Sequence, residues 1–387
     1  MDSFTFSTAK SIVNKAGGIR SVPQLCKNLG IQKPLLVTDF GIVSLGLHES
    51  LLSSFSSAGI HCCVFKDVQP DPSESVVLSA LDYAQHESID GIIGLGGGSS
   101  LDVAKTIAVL ANSEQHLDDI YGVDNVSSSR LPLIQIPTTA GTGSEVTPIA
   151  VITTGDTTKK GIVSPVMLPD IALLDPELTL GLPPHITAAT GIDAIVHAIE
   201  AYTSAKKKNP YSDLLARKAI KLLTTYIQTA VHKGSDLEAR SAMMFGATLA
   251  GQAFSNAPVA AVHALAYPLG GHFHIPHGLS NALMLPHVMR FNLPQAEGLY
   301  AELAPLATNN HSSAAGSDRQ RAEMLIDYLV ELMDDLGMPS TLHSVGISER
   351  HLPLLAEEAM QQQRLLVNNP REVNKDDALN IYRASYT

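Results

Sequence analysis

Short apolar runs alternate with longer amphipathic stretches through the first half of the chain. PLLVTD (Pro34 to Asp39), HCCVF (His61 to Phe65), GIIGL (Gly91 to Leu95) and LPLIQIP (Leu131 to Pro137) each have the length and composition of a buried strand. AVITT (Ala150 to Thr154) and IALLD (Ile171 to Asp175) repeat the pattern further on. Between these runs lie segments with helical spacing, such as Ser73 to His86. Strands covered on both faces read as continuous apolar runs, and their alternation with helices predicts βαβ units and a parallel sheet.

The period changes after a turn at Gly181 to Pro184. Apolar residues then recur at spacings of three and four: Ile192, Ile195, Val196 and Ile199, then Leu214, Ile220, Leu222 and Leu223, and later Met324, Leu325, Leu329 and Leu332. This is the signature of amphipathic helices. The expected organisation is α/β plus all-α, with an α/β domain over residues 1–182 and an all-helical domain over 183–387. Thr308 to Asp318 is rich in Asn, Ser, Ala and Gly and reads as a loop. No internal repeat or low-complexity tract is present.

From Ser241 to Met289 there is no Asp, Glu, Lys or Arg. A membrane-spanning helix needs about 20 predominantly apolar residues. Here Gly251, Pro258, Pro268, Gly270, Gly271 and Pro276 interrupt the stretch, which also holds five histidines. It reads as buried helices around a site, with Pro268, Gly270 and Gly271 expected to break the helix that carries His263.

Composition narrows the picture further. With 387 residues, 45% of them hydrophobic, the chain can bury two substantial cores. A formal charge of −12 opposes association with nucleic acid or an anionic membrane. The short run Lys206 to Lys208 reads as a solvated helix end. Three cysteines, Cys26, Cys62 and Cys63, fit a reducing compartment. The segment MDSFTFSTAK lacks a basic region followed by an apolar run. A cytoplasmic location is expected.

Two glycine-rich segments follow predicted strands. GLGGGSSLDVAK (Gly94 to Lys105) has the strand–turn–helix order that presents free backbone N–H groups to a phosphate. Gly96, Gly97 and Gly98 permit close backbone approach, and Ser99 or Ser100 can donate a hydroxyl. Its spacing is not G-x-G-x-x-G, and a turn that binds nothing has the same pattern. PTTAGTGSEVTP (Pro137 to Pro148) concentrates Thr138, Thr139, Thr142, Ser144 and Thr147. So many hydroxyls favour a phosphorylated, polyhydroxylated ligand. Asp39 ends a strand, where an acid can bind a ribose 2′-OH or simply cap a helix.

Asp193 and His197, four apart in TGIDAIVHAIEAY, share one helix face. His263 and His277 lie downstream in VHALAYPLGGHFHIPHG, the latter opening a further helix. One carboxylate and three imidazoles suit Fe²⁺ or Zn²⁺, whereas Ca²⁺ and Mg²⁺ prefer oxygen. Such an ion acts as a Lewis acid on an alcohol or carbonyl oxygen. His272, His274 and His287 share the region, and not all five histidines are ligands.

Across its whole length the chain resembles the iron-activated, group III alcohol dehydrogenases. GGGSSLDVAK, PTTAGTGSE, GIDAIVHAIEAY and VHALAYPLGGHFHIPHG carry the resemblance. It implies a dehydroquinate synthase-like fold, with an N-terminal dinucleotide-binding domain and a C-terminal helical metal-binding domain. It also implies Asp193, His197, His263 and His277 as ligands of Fe²⁺, with Zn²⁺ the other candidate. The implied pyrophosphate contacts are Gly97, Gly98 and Ser99, joined by Thr138, Thr139, Thr142 and Thr147, with Asp39 near the adenosine ribose. Asp102 and Lys160 match positions lining the family's cofactor site, and Leu178 matches a further one. The implied cofactor is NAD(H) rather than NADP(H), and the implied assembly a homodimer.

One position departs from the family. Tyr267 stands where many members have a histidine assigned to a proton path. Its phenol is a weak base near neutral pH, which makes His274 a second candidate for that relay. The expected reaction is hydride transfer between a primary alcohol and NAD⁺. The charge-free stretch predicts a small, uncharged alcohol or aldehyde, since a carboxylate would call for an arginine or lysine, with Arg290 the nearest downstream. Two other readings stand beside this one: a relative acting on a hydroxy acid or maleylacetate-like substrate, and a non-catalytic metal-bearing scaffold.

Overall fold

The computed structural model describes residues 3–155, 158–308 and 315–387. Most of the loop expected from Thr308 to Asp318 lies outside them. The chain folds as two units, Ser7–Gly181 and Leu182–Thr387, the second joined by the N-terminal segment up to Phe6. In that segment the rings of Phe4 and Phe6 lie 5.8 and 5.6 Å from Tyr211 of the helical unit.

In the first unit the strands are β1 (Ser11–Asn14), β2 (Pro34–Asp39), β3 (Cys63–Val68), β4 (Gly91–Gly96), β5 (Gly122–Val123), β6 (Leu133–Pro137), β7 (Ile149–Thr154), β8 (Thr158–Val163) and β9 (Ile171–Leu174). The helices are α1 (Val22–Asn28), α2 (Phe40–Ser44), α3 (Glu49–Ser57), α4 (Glu74–His86), α5 (Gly98–Leu110) and α6 (Leu117–Ile120). Six strands form one parallel sheet in the order β1-β9-β6-β4-β2-β3. Alternate side chains enter two separate cores. Leu35, Val37, Ile92 and Leu133 share one, while Leu36, Ile93, Leu95, Ile134 and Ile136 share the other. Both sheet faces are therefore apolar, which explains the continuous apolar runs.

The chain leaves β2 outward to β3 and returns past β2 to β4, so the strand order reverses between β2 and β4. Ligands of open α/β sheets bind beyond the carboxyl ends of strands at such a reversal. Asp39 ends β2, Gly96 ends β4 and Pro137 ends β6, on three neighbouring strands. A second sheet, β5-β8-β7, contains an antiparallel pair that the strand pattern did not reveal.

The helical unit comprises α7 (Pro184–Thr203), α8 (Pro210–His232), α9 (Leu237–Asn256), α10 (Ala261–Phe273), α11 (His277–Ala307), α12 (Asp318–Asp335), α13 (Leu352–Ala359), α14 (Gln363–Leu366) and α15 (Lys375–Ala384). Helix α7 packs against α8, α9 and α11 and is buried around nearly its whole circumference in its second half. The break expected in the helix carrying His263 does not occur, because α10 runs through Pro268, Gly270 and Gly271 to Phe273. Burial overrides local propensity there. The Leu265 carbonyl, in the turn before Pro268, accepts the Tyr382 hydroxyl at 2.7 Å.

Candidate metal centre and nucleotide loops

Three elements of the helical unit supply a cluster of donors. α7 places Asp193 and His197 one turn apart, α10 supplies His263 and α11 opens on His277. One ligand atom from each lies within 4.8 Å of all the others. Asp193 Oδ1 is 3.6 Å from His277 Nε2 and 4.0 Å from His197 Nε2. Four ligands about 2.1 Å from one ion stand roughly 3 to 4 Å apart, so small inward shifts suffice.

Packing fixes the rings. His197 is stacked between Phe254 at 4.3 Å and His263 at 4.7 Å, centroid to centroid. Gly278 lets α11 meet α7 closely, since a Cβ there would collide with the Ala189 carbonyl oxygen. That contact sets His277 beside Asp193 and accounts for the glycine of the PHG triplet.

The polar surroundings favour a cation. Asn281 Nδ2 lies 2.6 Å from Asp193 Oδ1 and 3.2 Å from both His263 Nε2 and His277 Nε2, so two amide hydrogens face three acceptors. Asn281 Oδ1 is buried with no hydrogen-bond partner. Burial acts to raise the Asp193 carboxyl, but the imidazoles of His197, His277 and His263 and the Asn281 amide outweigh it and hold it low. An acceptor-rich pocket with one carboxylate and three imidazoles fits a divalent Fe²⁺ or Zn²⁺ ion.

Other histidines of the stretch do different work. His287 is pushed down to about 4 by burial and by Arg290, and so stays neutral. His274 is exposed and ends α10 in the left-handed conformation, φ 55°. The Tyr267 ring stands 6.0 Å from the His277 ring. Among the described residues, His272, His274 and His287 lie outside the four-donor cluster.

In the α/β unit the two nucleotide-type loops touch. A Cβ on Gly98 would meet Thr142 Cγ2 at 2.9 Å, and one on Gly97 would meet Thr139 at 3.7 Å. Gly96 has φ 151°, which a side chain would strain. Gly97 is the N-cap of α5 and supplies no side-chain cap, leaving the first amides, at Gly98 and Ser99, for a ligand. Ser100 Oγ donates to Asp39 Oδ2 at 3.0 Å, and Ile42 N donates to Asp39 Oδ1 at 3.0 Å. Asp39 is thus the N-cap of α2 as well as the acid at the end of β2.

Thr138 is buried, with its N–H donating to the Gly96 carbonyl at 3.0 Å. Asp102 accepts from Ser144 Oγ at 2.6 Å and from Val151 N at 2.9 Å. Lys105 Nζ donates to Thr147 Oγ1 at 3.2 Å and to the Ile149 carbonyl at 2.6 Å. Asp102, Thr147 and Lys105 therefore brace the threonine loop against α5. Lys160 is exposed, its ammonium 5.2 Å from the Tyr121 ring centroid, and Leu178 is packed in an apolar core.

Two polar side chains at the metal cluster escaped the sequence reading, Glu200 and Asn281. Glu200 Oε2 lies 2.6 Å from His263 Nδ1, and Asn281 stands one turn after His277. Their signal was spacing: Asp193, His197 and Glu200 fall at i, i+4 and i+7 on one helix face, and His277 and Asn281 at i and i+4.

Known proteins agree with this architecture. The model of the iron-containing alcohol dehydrogenases matches residues 9–176, and that of the C-terminal part of the Fe-containing alcohol dehydrogenase family matches 187–386. A long-chain-alcohol dehydrogenase 1 of Geobacillus thermodenitrificans is 42% identical over 94% of this chain and 92% of its own. The solved structure of a 1,3-propanediol oxidoreductase aligns with TM-score 0.96 at 37% identity, covering 100% of both chains. A sulfoacetaldehyde reductase of Bifidobacterium kashiwanohense, solved with NAD⁺, aligns with TM-score 0.88 at 29% identity over 100% of both chains. By family models that together span nearly its whole length, this chain belongs to the iron-containing alcohol dehydrogenases.

Proposed function

We propose that this chain is an Fe²⁺-dependent, NAD(H)-linked alcohol dehydrogenase and aldehyde reductase for small, uncharged primary alcohols and aldehydes. The observation that carries the reading is the convergence of Asp193, His197, His263 and His277 in a member of this family. The α/β unit Ser7–Gly181 is the NAD-binding domain, and the helical unit, Leu182–Thr387 with the segment up to Phe6, is the metal-binding domain. Bound at the four donors, the ion supplies a Lewis acid for an alcohol or carbonyl oxygen. Asp193 offsets part of its charge, and His197, held by its stacking partners, presents a fixed lone pair.

In the α/β domain the amides of Gly98 and Ser99 bind the pyrophosphate, and Thr138, Thr139 and Thr142 add hydroxyl contacts. Asp39 accepts from the adenosine ribose 2′-OH and repels a 2′-phosphate. Asp102, Thr147, Lys160 and Leu178 shape the rest of that site. Tyr267, beside His277, supplies a hydrogen bond near the reacting oxygen, and His274, at its exposed helix end, is the less suited relay. Three free thiols, Cys26, Cys62 and Cys63, support a cytoplasmic setting.

An uncharged substrate is supported by the lack of any ionic residue from Ser241 to Met289. Arg290 is exposed and pairs with Asp327 at 3.3 Å. The likeness to a sulfoacetaldehyde reductase favours an anionic aldehyde as the second reading.

The test is anaerobic purification, removal of metal and add-back, followed by NADH absorbance with an aldehyde panel. Metal-free protein should be inactive, Fe²⁺ should restore the most activity, and Zn²⁺ should restore less. Short neutral aldehydes should exceed their ω-carboxylated and sulfonated analogues in kcat/KM. Full activity without metal would overturn the mechanism, and the reverse substrate order would favour the anionic reading.

A further inference from the structure

Glu200 is a buried acid on the same face of α7 as Asp193 and His197, one turn beyond His197. A carboxylate that deep is costly unless it is met by donors. Three donors meet it. Ala260 N lies 3.0 Å from Oε2, Val262 N lies 2.7 Å from Oε1, and His263 Nδ1 lies 2.6 Å from Oε2. Ala260 is the N-cap of α10 and provides no side-chain cap of its own. The Glu200 carboxylate replaces that cap from a different helix.

This arrangement decides the state of His263. A carboxylate that already accepts two amide hydrogens acts as an acceptor toward the ring as well, so Nδ1 carries the proton. The lone pair is then on Nε2, the nitrogen 3.2 Å from Asn281 Nδ2, whose amide also bonds Asp193. A carboxylate on the far nitrogen of a ligand imidazole fixes its tautomer, holds the ring plane and makes the ligating nitrogen more basic. The amides of the N-cap Ala260 and of Val262 in α10 hold the carboxylate in turn, so the start of α10 and the His263 ring are set by one group.

We propose that Glu200 is a positioning residue of the metal centre, fixing His263 as its Nδ1–H tautomer and strengthening its Nε2 as a ligand. The proposal rests on the reading that the four donors bind a divalent ion. Its effect is on metal affinity and on the ring's tautomer, and the NAD(H) site is untouched.

Two measurements test it. The first uses wild-type protein labelled with ¹⁵N-histidine and loaded with Zn²⁺. The His263 signal, assigned by its loss in His263→Asn, should show a protonated Nδ1 and a metal-bound Nε2. A proton on Nε2 or metal on Nδ1 would overturn the proposal. The second compares Zn²⁺ affinity, by chelator competition, in wild type, Glu200→Gln and Glu200→Ala. Both variants should bind about 10- to 100-fold more weakly, with NADH affinity unchanged. Wild-type affinity in folded Glu200→Gln would reduce Glu200 to a helix cap and overturn the proposal, whatever Glu200→Ala does to folding. Failure of the underlying reading has a different signature: wild-type protein that binds no Zn²⁺, or binds it equally well after His263→Asn.

Discussion

At the scale of single residues, Asp39 illustrates how one carboxylate serves two purposes. It caps α2 through Ile42 N and ties α5 to β2 through Ser100. On sequence a helix cap and a ribose acid were equally good readings, and the cap turns out to be compatible with the second. Asp39→Asn keeps an oxygen for Ile42 N but removes the charge, and should shift preference toward NADP⁺ with little loss of stability. Asp39→Gly removes both, and should shift preference similarly while costing a few tenths of a kcal/mol from the cap, as glycine caps usually do. Cofactor kcat/KM ratios with melting curves separate the effects, and an unchanged ratio in Asp39→Asn would remove Asp39 from the ribose. Gly278 gives a sharper case. Its missing side chain lets α11 lie against the Ala189 backbone, so Gly278→Ala should cost about 1–3 kcal/mol by overpacking. The displaced His277 should also weaken Zn²⁺ binding, in chelator competition, at least tenfold.

At the scale of elements, the apolar runs placed the sheet strands because a sheet buried on both faces writes itself as uninterrupted hydrophobicity. Strand β1 was illegible: Ser11 to Asn14 is an edge strand, partly exposed, and its partner β9 lies far along the chain. The hairpin of β7 and β8 was half legible, since Thr158–Val163 carries two lysines on a partly exposed strand. The expected break in α10 failed for the opposite reason, because burial of the helix outweighs the local cost of Pro268. Long-range polar ties between strands are equally invisible in sequence. Asp170, before β9, accepts from Arg130 at 2.6 Å, from Lys10 beside β1 at 2.6 Å and from Leu133 N of β6 at 2.9 Å. Burial acts to raise its carboxyl, but Arg130, Lys10 and the Leu133 amide bring it down to about 2. A carboxylate whose folded value is lowered contributes stability that is present above the ordinary carboxylate range and lost as pH falls through the folded value. The Asp170 contribution, about 2 kcal/mol, should therefore be complete above roughly pH 4 and vanish toward about pH 2. Asp170→Asn should lose that amount at pH 6 and should flatten the decline in urea stability between pH 4 and 3. Parallel pH dependence in variant and wild type would contradict this.

For the whole molecule, the decisive feature is where the two kinds of chemistry reside. Every donor of the metal cluster belongs to Leu182–Thr387, and every residue assigned to the nucleotide belongs to Ser7–Gly181. Each unit also has its own apolar interior, with Leu36, Ile93 and Ile134 in one and Ile192, Leu265 and Leu283 in the other. The four clustered donors were legible as types, since a helical Asp–His pair is a local pattern, and the threonine-rich loop was legible as a candidate. Glu200 and Asn281 were not, because their meaning depends on which helices meet. Folding and nucleotide binding should therefore outlast the metal. Removing the ion with a chelator should abolish turnover, leave NADH affinity within about twofold and leave helical content unchanged. His277→Ala should behave in the same way, since His277 is the least buried of the four donors and sits at a helix start. NADH fluorescence titration and circular dichroism on the chelated protein check this. NADH binding lost together with the metal would show that the ion supports the nucleotide site as well as the reaction, and would defeat the assignment of the two chemistries to separate units.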